Sequence, residues 1–234
     1  MNIVADAIQG RQVVLATISS RRSIRAFLDR AVSRTKVEEI LAIASRAPSG
    51  NNSQPWRAHV LSGAAKARLS AAILAERASG APEPALEYHY YPEVWPEPFL
   101  SRRREVGWAL YGLLNIERGN RTGARAWHDR NFTFYGAPVG MILTTDRRLG
   151  LGALIDVGMF LEALIVAARA FGLETCVQAA FGAYHAVARR ELALAPEEMV
   201  ICGLSLGFED RDASPNRLRT TRVAVEDFTT FHIN

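Results

Sequence analysis

The sequence predicts a mixed α and β fold in which four short strands interleave with helices. Helical spacing of apolar residues recurs along the chain, and four apolar runs have strand length. No G-x-G-x-x-G follows any of those runs, which argues against the usual dinucleotide-binding fold. A P-loop and a G-x-S-x-G elbow are also absent from the sequence.

In chain order, Val4 to Ile18 reads as a helix with an apolar face. Thr35-Lys36-Val37-Glu38 matches a capping box, with Thr35 as N-cap and Glu38 three residues on. Val37, Ile40, Leu41 and Ala44 then fall on one face of a helix, which Pro48 should stop. Trp56 to Ser62 reads as a strand and Ala64 to Ala78 as an alanine-rich helix. Pro82, Pro84, Pro92, Pro96 and Pro98 are too dense for a regular helix or a central strand. The interspersed Tyr88, Tyr90, Tyr91, Trp95 and Phe99 argue against disorder, so this stretch is expected to be a structured surface excursion. It either covers a ligand or partner or packs its own rings.

Arg102 to Glu117 is expected to be helical and to end at Gly119-Asn120, with a short helix from Thr122 to Arg130. Ala137 to Thr145 is a strand-length apolar run. Gly152 to Phe171 is apolar almost all round and closes at Gly172, so it should be the central buried helix. Glu174 to Phe181 starts β-like and becomes small. Tyr184 to Leu194 is helical, and Met199 to Leu206 is an apolar strand ended by Gly207. The polar tail from Asp210 to Asn234 should be mobile or wrap another surface.

At 234 residues the chain is long enough for a full-sized core in one large domain or two small ones, and 49% hydrophobic with 22% charged residues is ordinary for a globular protein. A net charge of +4 and a pI of about 9.4 suit a small anionic ligand as well as nucleic acid. The arginines, however, come in short groups such as Arg21-Arg22, Arg147-Arg148 and Arg189-Arg190 rather than in a basic stripe, and most are expected on solvated surfaces. Nucleic acid and membrane partners are not expected. The apolar segment from Leu149 to Phe171 is interrupted by Asp156, Glu162 and Arg169. Cys176 and Cys202 each sit in an apolar run and read as buried thiols. No metal-ligand spacing is present, and with no leader pattern at the N-terminus the default location is cytoplasmic.

Two stretches carry candidate chemistry. Ser20-Arg21-Arg22-Ser23-Ile24-Arg25 gathers three guanidinium groups and two hydroxyls, which suits a phosphate. A solvated basic turn would use the same residues. Arg46 to Trp56 (Arg-Ala-Pro-Ser-Gly-Asn-Asn-Ser-Gln-Pro-Trp) offers amides and hydroxyls to a flat heteroaromatic ligand, or makes an ordinary helix-to-strand loop.

Together these pieces resemble the nitroreductase family of flavin enzymes. The resemblance rests on Arg21-Arg22-Ser23-Ile24-Arg25-x-Phe27, Ala47-Pro48-Ser49-Gly50-Asn51-Asn52-Ser53-Gln54-Pro55-Trp56, Gly172-Leu173-Glu174-Thr175-Cys176, and Leu204-Ser205-Leu206-Gly207-Phe208 followed by Arg222. It runs from about Ile18 to Phe228. It implies an α+β fold of three layers, with a mainly antiparallel central sheet flanked by helices in one domain. It implies an obligate homodimer with FMN at the interface and a C-terminal arm, residues 210–234, that reaches the partner. By position, Arg21, Arg22, Ser23 and Arg25 would hold the phosphate, ribityl chain and pyrimidine edge, joined by Arg222. Pro48, Ser49, Gly50 and Asn52 would come from the other subunit, with Gln54 nearby. Val177, Gln178, Ala179 and Ala180 would lie along the isoalloxazine. Many family members have proline where this chain has Val177. Residues 82–130 form an insertion where substrate preference should reside.

The activity implied is reduction of a nitroaromatic or quinone-like acceptor by NADH or NADPH through FMN. The alternative is a protein of the same fold that stores, senses or degrades FMN. No protein nucleophile or assigned general acid is legible; Tyr135 and His128 are possible proton donors that read more readily as structural.

Overall fold

The computed structural model describes residues 3–80 and 86–233. Its elements are α1 (Ile3–Ser19), α2 (Arg34–Ala44), β1 (Arg57–Ser62), α3 (Gly63–Ala78), α4 (Phe99–Leu113), α5 (Arg121–Asp129), β2 (Val139–Asp146), α6 (Gly150–Ala170), β3 (Glu174–Gln178), α7 (His185–Leu192) and β4 (Glu198–Gly207). The strands form one sheet in the order β1-β2-β4-β3, antiparallel at every pairing. This is the α+β arrangement expected.

The sheet separates two cores. Val139, Met141 and Leu143 of β2 pack with Val37 and Ile40 of α2 and with Val157, Phe160 and Leu164 of α6. Ile142 faces the other way, toward Leu69 and Ile73 of α3, Val187 of α7 and the rings of Phe132, Phe134 and Phe181. This alternation follows from the two-residue period of a strand. Gly140 and Gly203 make room on that second face, where the Phe134 and Phe181 rings stack 4.7 Å apart. A Cβ on Gly140 would sit 2.6 Å from the Phe134 ring.

A bulge interrupts the β2–β4 ladder. Leu143 pairs with Cys202 and Thr144 with Val200, so Ile201 is skipped. The backbone groups freed there are taken by the aromatic excursion. The Tyr88 hydroxyl donates to the Ile201 carbonyl at 2.6 Å, and the Val200 N–H donates to Glu87 at 3.0 Å. Arg147 and Arg189 also donate to Glu87, at 2.6 and 3.2 Å. Burial pushes the Glu87 carboxyl up, but the Arg147 and Val200 hydrogen bonds and the charges of His185 and Arg147 outweigh it and leave the group below its ordinary value. Beyond this anchor, Tyr88, Tyr90, Tyr91 and Trp95 contact one another in sequence. The excursion is therefore structured as expected; Pro82 and Pro84 lie outside the described residues.

Four expectations need correction. The N-cap of α2 is Ser33, whose hydroxyl accepts from the Lys36 N–H at 3.3 Å, so Thr35 lies inside the helix. Two cap-forming residues stand two apart, and Ser33 is the one with extended backbone. Helix α4 begins at Phe99 and ends at Leu113, before Gly119, because Asn115 turns into the left-handed region with φ 53°. Helix α6 is buried on one side only: Leu151 and Ile155 remain 80% and 67% exposed. Arg147 and Arg189 are tied into the Glu87 cluster rather than standing free on a solvated surface.

Candidate active site

Strand β3 lies at a sheet edge, and its outer side is paired with the N-terminal arginine segment. Ser23 bridges Thr175 in parallel, and the Ile24 N–H donates to the Thr175 carbonyl at 3.0 Å. Arg21, Arg22, Ser23 and Arg25 are therefore held alongside Val177 and Gln178. The chain leaving β4 runs back along the same segment: Phe27 bridges Glu209, Leu28 donates to the Phe208 carbonyl, and Asp210 donates to the Ala26 carbonyl.

Asn216 fastens the two ends together. It is 3% exposed. Its Oδ1 accepts from the Arg25 N–H at 2.7 Å, and its Nδ2 donates to the carbonyls of Ala26 and Asp210, both at 2.8 Å. Its own carbonyl accepts from Arg22 at 2.5 Å and from Arg219 at 2.9 Å. Sequence reading missed this residue. A lone asparagine in a polar tail carries no local signal of a partner 190 residues away.

The result is a cleft of about 1030 Å³ whose walls include Arg21, Arg22, Arg169, Arg219 and Arg222. A smaller hollow of about 80 Å³ joins Arg21, Arg22, Ser23, Arg25 and Arg222 and is closed by Val106 of α4. Two arginines are neutralised within the chain. Arg22 pairs with Glu209 at 2.8 Å and Arg169 with Glu174 at 2.5 Å. Burial raises the Glu174 carboxyl above its ordinary value, although Arg169 opposes the shift. Arg21, Arg219 and Arg222 have no carboxylate partner among the described residues; Arg222 donates only to Thr220 and the Thr221 carbonyl. Converging guanidinium groups without counter-charges suit an anion, phosphate above all.

The β3 end of the site is shaped mostly by backbone. Gln178 is 2% exposed, and its amide is consumed inside the protein: Nε2 donates to the Asn131 carbonyl at 2.6 Å and Oε1 accepts from Ser205 at 2.7 Å. Val177 packs against the α2–α6 core. Ala179 and Ala180 begin a short 3₁₀ turn and leave a low wall.

The Pro48 loop is elsewhere. Gly50 N–H reaches the two oxygens of Asp156 at 3.2 and 3.3 Å, and the Ser53 hydroxyl reaches Oδ2 at 3.4 Å. The Ser49 hydroxyl accepts from Gln54 N–H at 3.0 Å. Asn51, Asn52 and Gln54 all have positive φ, a strained arrangement for non-glycine residues. Pro48, Gly50, Asn52 and Gln54 are exposed. Asp156 and Arg169 are thirteen residues apart on α6, roughly 20 Å along its axis at about 1.5 Å per residue. Arg169 in turn donates to Ser20, beside the arginine segment. Within one chain, then, the loop meets α6 at Asp156, whereas the arginine cleft meets it at Glu162 and Arg169.

The model of the nitroreductase family matches residues 18–208. The chain belongs to the nitroreductase family. It is 41% identical to a chloronitrobenzene nitroreductase of Comamonas testosteroni, over 92% of this chain and 94% of that one. It is 37% identical to a 4-nitrobenzoate reductase of Pseudomonas putida over the same shares. Among solved nitroreductases, the FMN- and NADPH-dependent NfnB of sphigopyxis sp. strain HMH superposes with a TM-score of 0.91 at 35% identity, covering 94% of this chain and 99% of that one. NfnB of Mycobacterium smegmatis, solved in complex with NADPH, gives 0.90 at 28% identity, covering 94% and 98%.

Proposed function

We propose that the protein is an FMN-dependent oxidoreductase that takes reducing equivalents from NADH or NADPH and delivers them to a nitroaromatic or quinone-like acceptor. The observation that carries the reading is the cluster of unneutralised guanidinium groups, Arg21 and Arg222 foremost, drawn from both ends of the chain into one cleft. The named activities of the relatives supply the acceptor class, and the FMN dependence of the NfnB structures supplies the cofactor. FMN, when bound, supplies hydride chemistry that no side chain here offers.

The chain's own contribution is binding and electrostatics. Arg21 and Arg222 hold the phosphate. Arg22 shapes the cleft with its charge already met by Glu209. Arg25 supplies positive charge at the pyrimidine edge, where negative charge accumulates on reduction. The backbone of residues 177–180 lines the ring. Val106 and the aromatic excursion, within the insertion of residues 82–130, form the acceptor side.

The working form is a homodimer. Leu151 and Ile155 on α6, Val13, Val14 and Ile18 on α1, and Val225, Phe228 and Phe231 on the arm are all exposed in the single chain. Apolar surface on this scale marks an interface. A second copy covers it and brings its own Pro48, Ser49, Gly50, Asn52 and Gln54 to the cleft of the first. The cytoplasm, where reduced nicotinamides are available, is the setting.

Purified protein is expected to be yellow and to sediment near twice its 25.8 kDa chain mass. Anaerobic NADPH or NADH should bleach it, and nitrobenzene should restore the colour. Protein that stays colourless and takes up no FMN overturns the assignment. Flavin that binds but is never bleached by either nicotinamide supports a storage or sensing protein instead.

A further inference from the structure

The last rung of β3 pairs Gln178 with Gly203, and the chain then turns into the short 3₁₀ stretch Ala179–Tyr184. Ala179 and Ala180 lie beyond the ladder, and their methyl groups give them little to grip with. Two buried anchors flank them. After them comes Phe181, wholly buried, its ring stacked on Phe134 at 4.7 Å and seated where a Cβ on Gly203 would be. Before them comes Gln178. Cys176 belongs to the second core, and the two-residue period of a strand turns Gln178 to the same face. An amide in that place is costly unless its groups are paired. Both are: Ser205 of β4, wholly buried, donates to Oε1 at 2.7 Å, and Nε2 donates to the Asn131 carbonyl at 2.6 Å.

Asn131 is itself held twice. Its Nδ2 donates to the His128 carbonyl, and its Oδ1 accepts the Tyr135 hydroxyl proton, both at 2.8 Å. Tyr135 is 4% exposed, so that proton is not offered to an external acceptor. Through His128, near the end of α5, the anchor reaches the last helix of the insertion. A leucine at position 178 could fill the core with no partners at all. The amide does what leucine cannot: two directed bonds in a low-dielectric interior fix the rotation of the side chain, and with it the backbone where the ladder stops.

We propose that Gln178 is a positioning residue: its amide, clamped between Ser205 and Asn131, fixes the Ala179–Ala180 backbone as the rigid wall beside the flavin ring. This rests on the reading of the cleft as an FMN site. Because Asn131 also holds α5, the wall and the acceptor-side helix move as one body.

The test uses full-length protein carrying Ser205→Ala, Gln178→Leu, or both. In the apo-proteins, hydrogen exchange of the peptide containing Ala179 and Ala180 should be faster than in wild type. FMN should bind roughly tenfold more weakly to each single variant, about what one lost hydrogen bond is worth, with a shifted visible flavin spectrum. Ser205→Ala should add little in the Gln178→Leu background, because the buried hydroxyl acts through the amide. If Gln178→Leu does not fold, Gln178→Met keeps the length without the amide and takes its place. A purely structural role would lower the urea midpoint but leave FMN affinity and spectrum at wild-type values, and that result overturns the proposal. So do fully additive losses in the double variant. Wild-type protein that binds no FMN overturns the cleft reading and this role with it; wild type that binds FMN beside variants that bind it equally well sinks the role of Gln178 alone.

Discussion

A single terminal nitrogen of Arg22 donates to both carboxylate oxygens of Glu209, at 2.8 and 3.0 Å, across 187 residues of sequence. Arg222 lines the same hollow with no carboxylate partner among the described residues. Substituting the two should therefore have different consequences. Arg22→Ala leaves a largely buried Glu209 unpaired and is expected to destabilise the apo-protein by about 2 kcal/mol. Arg222→Ala should leave urea unfolding of the apo-protein within about 0.5 kcal/mol of wild type and weaken FMN binding roughly tenfold or more. Urea melts and fluorescence titration with FMN read the two quantities separately.

The Glu87 anchor makes a second prediction. Glu87→Gln keeps the shape but removes the charge that Arg147 and Arg189 share. A loss of about 3 kcal/mol is expected from leaving these cations without their carboxylate. Because the anchor holds the excursion to the sheet, limited proteolysis should cut near Tyr90 and Tyr91 in the variant sooner than in wild type. An unchanged cleavage pattern would show that the excursion is held by its rings alone.

Acid stability follows from two carboxyls. Glu87 is held below its ordinary value of 4.5 for the reasons given above. For Glu198, burial raises the carboxyl, but hydrogen bonds from Thr144 and His59, the charge of His59 and the Ala195 N–H lower it further, so it too lies below 4.5. Each group is harder to protonate folded than unfolded. The stability they lend is complete above about pH 4.5 and is lost as pH falls through the lower folded values. Urea midpoints should decline on that acid limb, and Glu198→Gln should flatten the decline.

Packing at the sheet can be tested directly. Gly203→Ala would drive a methyl into the Phe181 ring, and Gly140→Ala into Phe134. Each is expected to cost about 1–3 kcal/mol by overpacking. Gly158→Ala on α6, where nothing lies within 4 Å, serves as the control in the single chain. Its effect on the dimer is a separate readout of that exposed face.

Much of this architecture was legible because it is local. Val37, Ile40 and Ala44 declared the buried face of α2 by spacing alone, and Gly172 marked the end of α6 with its positive φ. The arginine segment and Arg222 were brought together by resemblance, and the coordinates place them in one hollow. What the sequence hid is long-range. Asn216, Glu87 and Asn131 each matter through partners tens to hundreds of residues away, and no periodicity encodes such a pairing. The amide of Gln178 is another such pairing, claimed by Asn131 and Ser205 rather than turned toward the cleft. Between Ser33 and Thr35, propensity could not choose, and backbone geometry did.

The Asn216 clasp also sets a timetable. Synthesis runs from N- to C-terminus, so the arginine segment is made 191 residues before the Asn216 that clasps Arg25, and a nascent chain carries those guanidinium groups long before it has the wall opposite them. The complete cleft must then wait for Asn216. A translation product cut short before Asn216 would emerge with its four strands encoded in full and yet with its arginine cleft left unclasped.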